Sequence, residues 1–379
     1  MTIIKRQSGF TMVELLVTMV IFVLVITAAS NIFIGLVSNF KQQSKLAETS
    51  IEGMVGLKML KSDVELVGYG LPFDLEDAKY ANEAMNEASK GYNATVFNDA
   101  PDGVPRAFLT ATGGYNGSDI FTVKGSAYGI NGTTQKWSYI SQGGSMHKWS
   151  NLEGTDLKEE TLDPGDNVIV VKPIIGSRIR VLAHDANFYT SVDRLQNQQF
   201  YKDMEPTQAF LAYGITPTGK TPRMPFNRAD FYVRRPATGM PSGCQGAQIP
   251  SANSPGILYK AIVGHADGKT VEYPLLDCVA AMKMVMMVDE DGDPATPLTA
   301  ATAGSWPTAV TSAKQIREQL GEIRIYILAQ EGQRDSGYQS PATISITDPD
   351  AGTLMTYTVP DRNYRWKIYT MVMKPYNMR

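Results

Sequence analysis

Residues 3–43 read IIKRQSGFTMVELLVTMVIFVLVITAASNIFIGLVSNFKQQ, and Glu14 stands at odds with its neighbours. From Leu15 to Phe40 no residue is charged. As a helix that run is roughly 39 Å long at about 1.5 Å per residue, enough to cross a hydrocarbon core of about 30 Å. A carboxylate at its head costs at least about 2.5 kcal/mol on insertion scales, so Glu14 needs a partner. Lys5 and Arg6 precede the run, and the positive-inside rule holds them in the cytoplasm. The chain beyond about Phe40 is then expected in the periplasm. An ordinary secretory signal peptide is the alternative, with ITAAS offering a small-residue cleavage site near Ala29. Against it, the uncharged run continues well past that site, and an acid stands at its head.

The helix does not stop with the apolar run. From Lys41 the sequence KQQSKLAETSIEGMVGLKMLKSDVELVGYG becomes amphipathic, and Leu57, Leu60, Val64 and Val67 step along one helical face. Gly53 and Gly56 each weaken a helix by up to about 1 kcal/mol relative to alanine. Gly68, Gly70 and Pro72 predict its end. One helix of roughly 55 to 60 residues at about 1.5 Å each is therefore predicted, its second half laid against a globular body.

After Pro72 the composition shifts to strands and glycine-rich turns. Strands are predicted at 119–125, 167–172, 209–215, 230–235, 257–263, 279–288, 322–329 and 364–374, with the clearest period-two alternation in EIRIYILA and RWKIYTMVM. A short helix is predicted over 312–320, and polar loops over 73–118 and 291–311. The fold class is α+β: a long N-terminal helix packed on an antiparallel sheet, with large loop insertions. The methionines clustered in MKMVMM suit a strand core.

With 379 residues, 43% of them hydrophobic, the chain can build a large core. A formal charge of −3 without a basic stripe argues against a nucleic-acid partner. Three histidines and two cysteines leave little for a zinc site. His184 with Asp185, and His265 near Asp267, have no nucleophile elbow, His-Glu-x-x-His helix or phosphate loop beside them. They read as surface or turn residues, and no enzyme activity is expected.

Two features stay open to a specific chemistry. VDEDGD places Asp289, Asp291 and Asp293 around Gly292, a pattern able to wrap Ca²⁺, which takes six to eight oxygens. The bidentate Glu of a full calcium loop is missing, and a solvated acidic turn is the alternative. Cys244 and Cys278, 34 positions apart, suit a disulfide in an oxidising compartment, contributing roughly 3 to 4 kcal/mol in the chain-entropy picture. Two buried free thiols are the other reading.

Taken together, Lys5, Arg6, Ser8-Gly9, Phe10, Thr11 and Glu14 resemble the class III signal of type IV pilins and pseudopilins. The resemblance implies a membrane-embedded prepilin peptidase that cuts between Gly9 and Phe10 and methylates the new Phe10 amine. It implies a leader over 1–9, a membrane and filament-core half-helix over 10–40, an amphipathic half over 41–68, and a periplasmic body over 69–379. Glu14 would pair with the Phe10 amine of a neighbouring subunit in a filament. Asn31 stands where major pilins commonly carry a helix-breaking proline. The succession DFYVRR, ILYKAIVG, PLLDCVAAMKMVMMVDEDGD, IREQLGEIRIYILAQ and RWKIYTMVMKPYNMR looks like a PilW-type minor pilin, related to the J-type minor pseudopilins of type II secretion. Residues 73–229 fall outside the resemblance. It implies a subunit that primes or caps pilus assembly near the tip. The implied partners are other minor and major pilins, the inner-membrane assembly platform and a tip adhesin. A type II secretion pseudopilin, or a ligand-binding tip subunit working through 73–229, are the rival readings.

Overall fold

The computed structural model describes residues 11–101, 103–151, 154, 156–174, 180–201, 204–293 and 295–378. The chain divides into two units, 1–51 and 52–379. Helix α1 runs Met12–Glu65. In the first unit its described side chains are exposed; Phe22 is 65% and Ile32 66% accessible.

The second unit holds the strands. In chain order these are β1 Phe108–Ala111, β2 Ile120–Gly125, β3 Trp137–Ser141, β4 Ser145–Met146, β5 Asn167–Pro173 and β6 Arg180–Ala183. There follow β7 Thr190–Ser191, β8 Phe210–Thr216, β9 Asn227–Arg234, β10 Gly256–Val263, β11 Thr270–Val288 and β12 Thr299–Thr302. Helix α2, Ala313–Gln319, precedes β13 Leu320–Glu331, β14 Thr343–Asp348, β15 Gly352–Thr358 and β16 Arg365–Met373. The main sheet has the order β1-β2-β9-β10-β11-β13-β16, with β12 on the end of β11. A second sheet runs β4-β3-β8-β5-β6, with β7 on β5, and β14 pairs β15 in a separate hairpin. Every pairing between these strands is antiparallel.

Alternation explains why both faces of the main sheet are covered. Met282, Met284 and Met286 of β11 and Ile323, Ile325 and Ile327 of β13 enter one core, together with Leu57, Leu60 and Val64 of α1. Their neighbours Ala281, Val285, Tyr326 and Leu328 point the other way, into a core closed by Ile346 and Tyr357 of the β14–β15 hairpin. Successive strand side chains alternate faces, so a strand apolar on both faces needs cover on both. The methionine run is strand core, as its composition suggests.

The end of α1 is seated by close backbone contact. A Cβ built on Gly56 would lie 1.7 Å from the carbonyl oxygen of Leu275 in β11. Only glycine lets the helix lie that low on the strand. Asp63 of the helix pairs with Lys260 of β10 at 2.7 Å. The helix stops at Glu65, whose carbonyl accepts from the Tyr376 N–H at 3.0 Å. Gly68 follows with φ +75°, in the region that favours glycine.

Two expectations about elements are corrected. The strand predicted at 279–288 begins at Thr270: its first half pairs with β10 and its second with β13, and the register shifts at both joins. Pro274 pairs with Tyr259, while Cys278, at φ +54°, falls in an irregularity between the paired Leu276 and Val279, so the strand continues through local shifts of register. The stretches 73–118 and 291–311 also carry strands, β1 and β12. Helix α2 begins at Ser312 in a full capping box with Gln315.

Candidate functional site

At the head of α1, Glu14 finds a partner within its own chain. Thr11 N–H and Thr11 Oγ1–H both donate to Glu14 Oε2 at 2.9 Å, and the Glu14 N–H donates to Thr11 Oγ1 at 3.3 Å. This is a capping box: Thr11 caps the helix and the acid three residues on reaches back to the cap's own N–H. The acid also sits where the positive end of the helix dipole favours it. Gly9 and Phe10, with Lys5 and Arg6, lie outside the described residues. Behind the cap, Met12–Val37 forms a helix long and apolar enough to cross a membrane, with mean hydropathy 2.6. A continuous exposed surface of that kind marks a membrane or protein contact.

The acidic turn after β11 is closed by its own backbone. Asp289 Oδ1 accepts from Gly292 N–H at 2.8 Å, Asp291 Oδ1 from Asp293 N–H at 3.0 Å, and Asp293 Oδ1 from Ala295 N–H at 2.9 Å. These are local turn bonds of the Asx kind. Among the described residues no group of three or more His, Cys, Asp or Glu side chains is placed to hold a metal ion. Cys244 and Cys278 form a disulfide with Cα atoms 5.2 Å apart. It ties the β9–β10 connection to the bend in β11, where Gln330 Oε1 also accepts from Gln245 N–H at 2.7 Å.

The histidines take structural places. His184 Nε2 lies 3.2 Å from Asp77. His265 Nδ1 accepts from the Arg223 backbone N–H at 3.0 Å, and its Nε2 faces Asn227 Oδ1 at 3.0 Å. An N–H donor at Nδ1 requires that nitrogen to be bare, so Nε2 carries the proton. Burial, then the Arg223 charge, push the His265 pKa down to about 4. The ring is neutral and bridges β9 to the β10–β11 turn in which it sits, so of the two readings, surface or turn, the turn holds.

The densest polar constellation is one that the sequence reading missed. Lys124 of β2, Arg228 and Asp230 of β9, and Glu83 are wholly inaccessible. Lys124 Nζ reaches Glu83 Oε2 at 2.7 Å, Asp99 Oδ2 at 2.5 Å and the Phe97 carbonyl at 2.7 Å. Arg228 clasps Asp230 with Nε and Nη2 at 2.8 and 2.9 Å and donates to Glu83 Oε2 at 3.2 Å. Arg106 bonds Asp99 Oδ1 at 2.5 Å, and Tyr92 and Thr122 hydroxyls donate to Asp230 at 2.7 Å. Burial alone would raise the Asp99 pKa, but Lys124 and Arg106 outweigh it and hold the carboxyl below its ordinary range. Three cations balance three carboxylates, so the cluster is neutral and closed. It clamps residues 83–106 onto strands β2 and β9, and its groups are consumed by one another, as in a fastening.

One family description matches the chain: the prokaryotic N-terminal methylation motif, over residues 4–30. No curated protein and no solved structure matches it significantly. The motif and the apolar helix beneath it support a type IV pilin-like chain. The motif implies processing by prepilin peptidase and assembly with other pilins, and with the helix it fits a membrane anchor.

Proposed function

We propose that this chain is a type IV minor pilin of the PilW type, a non-enzymatic subunit that primes filament assembly and sits near the tip. The methylation motif over residues 4–30, laid on a helix that is uncharged from Leu15 to Phe40 and headed by Glu14, carries the reading. Cleavage between Gly9 and Phe10 removes Lys5 and Arg6 and leaves one cation, the Phe10 amine, at the new terminus. The subunit starts with its N-terminus cytoplasmic and its body periplasmic, and ends in the filament.

In this account Glu14 changes partners. Before assembly the Thr11 cap satisfies it. On assembly its carboxylate turns to the Phe10 amine of an adjoining subunit, an ion pair in a water-poor bundle. Helices in lipid gain no hydrophobic drive by meeting; packing and polar pairing decide the contact. An unpaired charge there is heavily penalised and a paired one tolerated, so Glu14 sets register more than it supplies strength. The large body keeps the copy number low by hindering a lattice of its own kind.

The test replaces Glu14 with leucine. The account predicts unchanged membrane insertion, with recruitment into sheared filaments reduced several-fold and fewer filaments per cell. Recruitment at the native level would sink it.

A further inference from the structure

Strand β3 with His147, Trp149, Glu159 and Glu160 builds a feature that the proposed filament assembly does not use. The Trp137 and Trp149 rings meet at 5.0 Å between centroids and 60° between planes. Trp149 Nε1–H donates to the Trp137 carbonyl at 2.8 Å, which locks the corner. Tyr139 stacks on His147 at 4.4 Å, and His147 abuts Trp149 at 4.9 Å, bracing the indole from behind. In front lies a cavity of about 360 Å³ lined by Gln135, Trp137, Trp149, Glu159 and Glu160, within the usual range for small-molecule sites.

The lining is electron-rich throughout. Indole faces carry negative quadrupole density, and both carboxylates are exposed, with no ion pair to a described residue. Lys136, beside Trp137 in the chain, spends its charge on Asp163 at 2.7 Å. The Trp149 N–H is consumed, so the walls offer two carboxylates and two π-faces, with the Trp137 indole N–H and the Gln135 amide as side-chain donors. A neutral sugar could hydrogen-bond to the two carboxylates, but only a cation gains their charge as well. A cation needs only what is there.

We infer that this cavity binds an alkylammonium group, a methylated one best, because its weak hydration is cheap to lose against indole. The inference stands on the body alone and does not depend on what the N-terminal helix assembles with.

The test is saturation-transfer NMR on the full chain in a polyoxyethylene detergent at low ionic strength, where screening is weak. The probes are choline and tetramethylammonium, with 3,3-dimethylbutanol as the neutral isostere and N-acetylglucosamine as the sugar. The N-methyl signals of both cations are expected to saturate with dissociation constants on the order of millimolar. The double variant Glu159→Gln, Glu160→Gln changes only exposed side chains and is expected to weaken both cations at least fivefold. Trp149→Leu, with its fold checked by circular dichroism, should abolish transfer. Equal binding of 3,3-dimethylbutanol, saturation by the sugar in place of the cations, or an unchanged double variant would each overturn the assignment.

Discussion

At the scale of single residues, a buried charge cluster and one neutral ring make the sharpest predictions about this body. Among the described residues, Lys124 is the one cation that touches both Glu83 and Asp99 inside the clamp. Replacing it with methionine leaves three buried carboxylates with two cations, Asp99 held by Arg106 alone and Glu83 by Arg228 alone. Breaking a buried pair in that way typically costs about 3–5 kcal/mol, and denaturant unfolding of the Lys124→Met variant should read a loss of that size. His265 makes a prediction about pH. Its folded pKa near 4 lies below the unfolded value of about 6.5, so the unfolded chain takes up the proton first. Its contribution is complete above about pH 6.5 and is lost as pH falls toward 4, by up to about 3 kcal/mol. A His265→Leu variant is expected to be less stable at pH 7 and to show a flatter fall in stability between pH 6.5 and 5; an unaltered slope would contradict the assignment. None of this was legible in the sequence. Glu83, Asp99, Lys124 and Arg228 look like ordinary solvated charges there, because the ion pairs that join these four to one another span 25 to 145 positions along the chain.

Among the elements, α1 was the most legible, since its apolar spacing and terminal glycines are local signals. Leu57, Leu60, Val64 and Val67 are all buried, on the one face their spacing describes. The glycines of that stretch read from sequence only as a helix weakness. The fold gives Gly56 its reason, because β11 backbone fills the place of a side chain. Gly56→Ala gains about 1 kcal/mol of helix propensity yet must push helix and strand apart, an overpacking that typically costs about 1–3 kcal/mol. A net drop in melting temperature is expected; a rise would show the helix free to lift from the sheet. Strands with clean alternation, such as β13 and β16, were also legible. The first half of β11 was hidden by Pro274, and the β14–β15 hairpin by its threonines, whose apolar partners Ile346 and Tyr357 face only inward. In both, pairing overrides the local pattern.

For the whole molecule, the division of labour follows the division of chemistry. One stretch, uncharged and exposed from Leu15 to Val37, can be satisfied only by lipid or by other helices. The second unit closes on itself through two sheets, a hairpin, a disulfide and a buried charge clamp. The membrane role was legible because hydropathy is additive along a chain. The body's order was not, because residues 73–229 are held by contacts between distant segments. On the proposed function, the apolar helix is freed by a cut at its cytoplasmic end and carried into a filament. This is tested most directly by mass spectrometry of the mature N-terminus in filaments sheared from cells. The account predicts a chain that begins at an N-methylated Phe10. A chain that keeps Met1, or begins near Ser30, would contradict it.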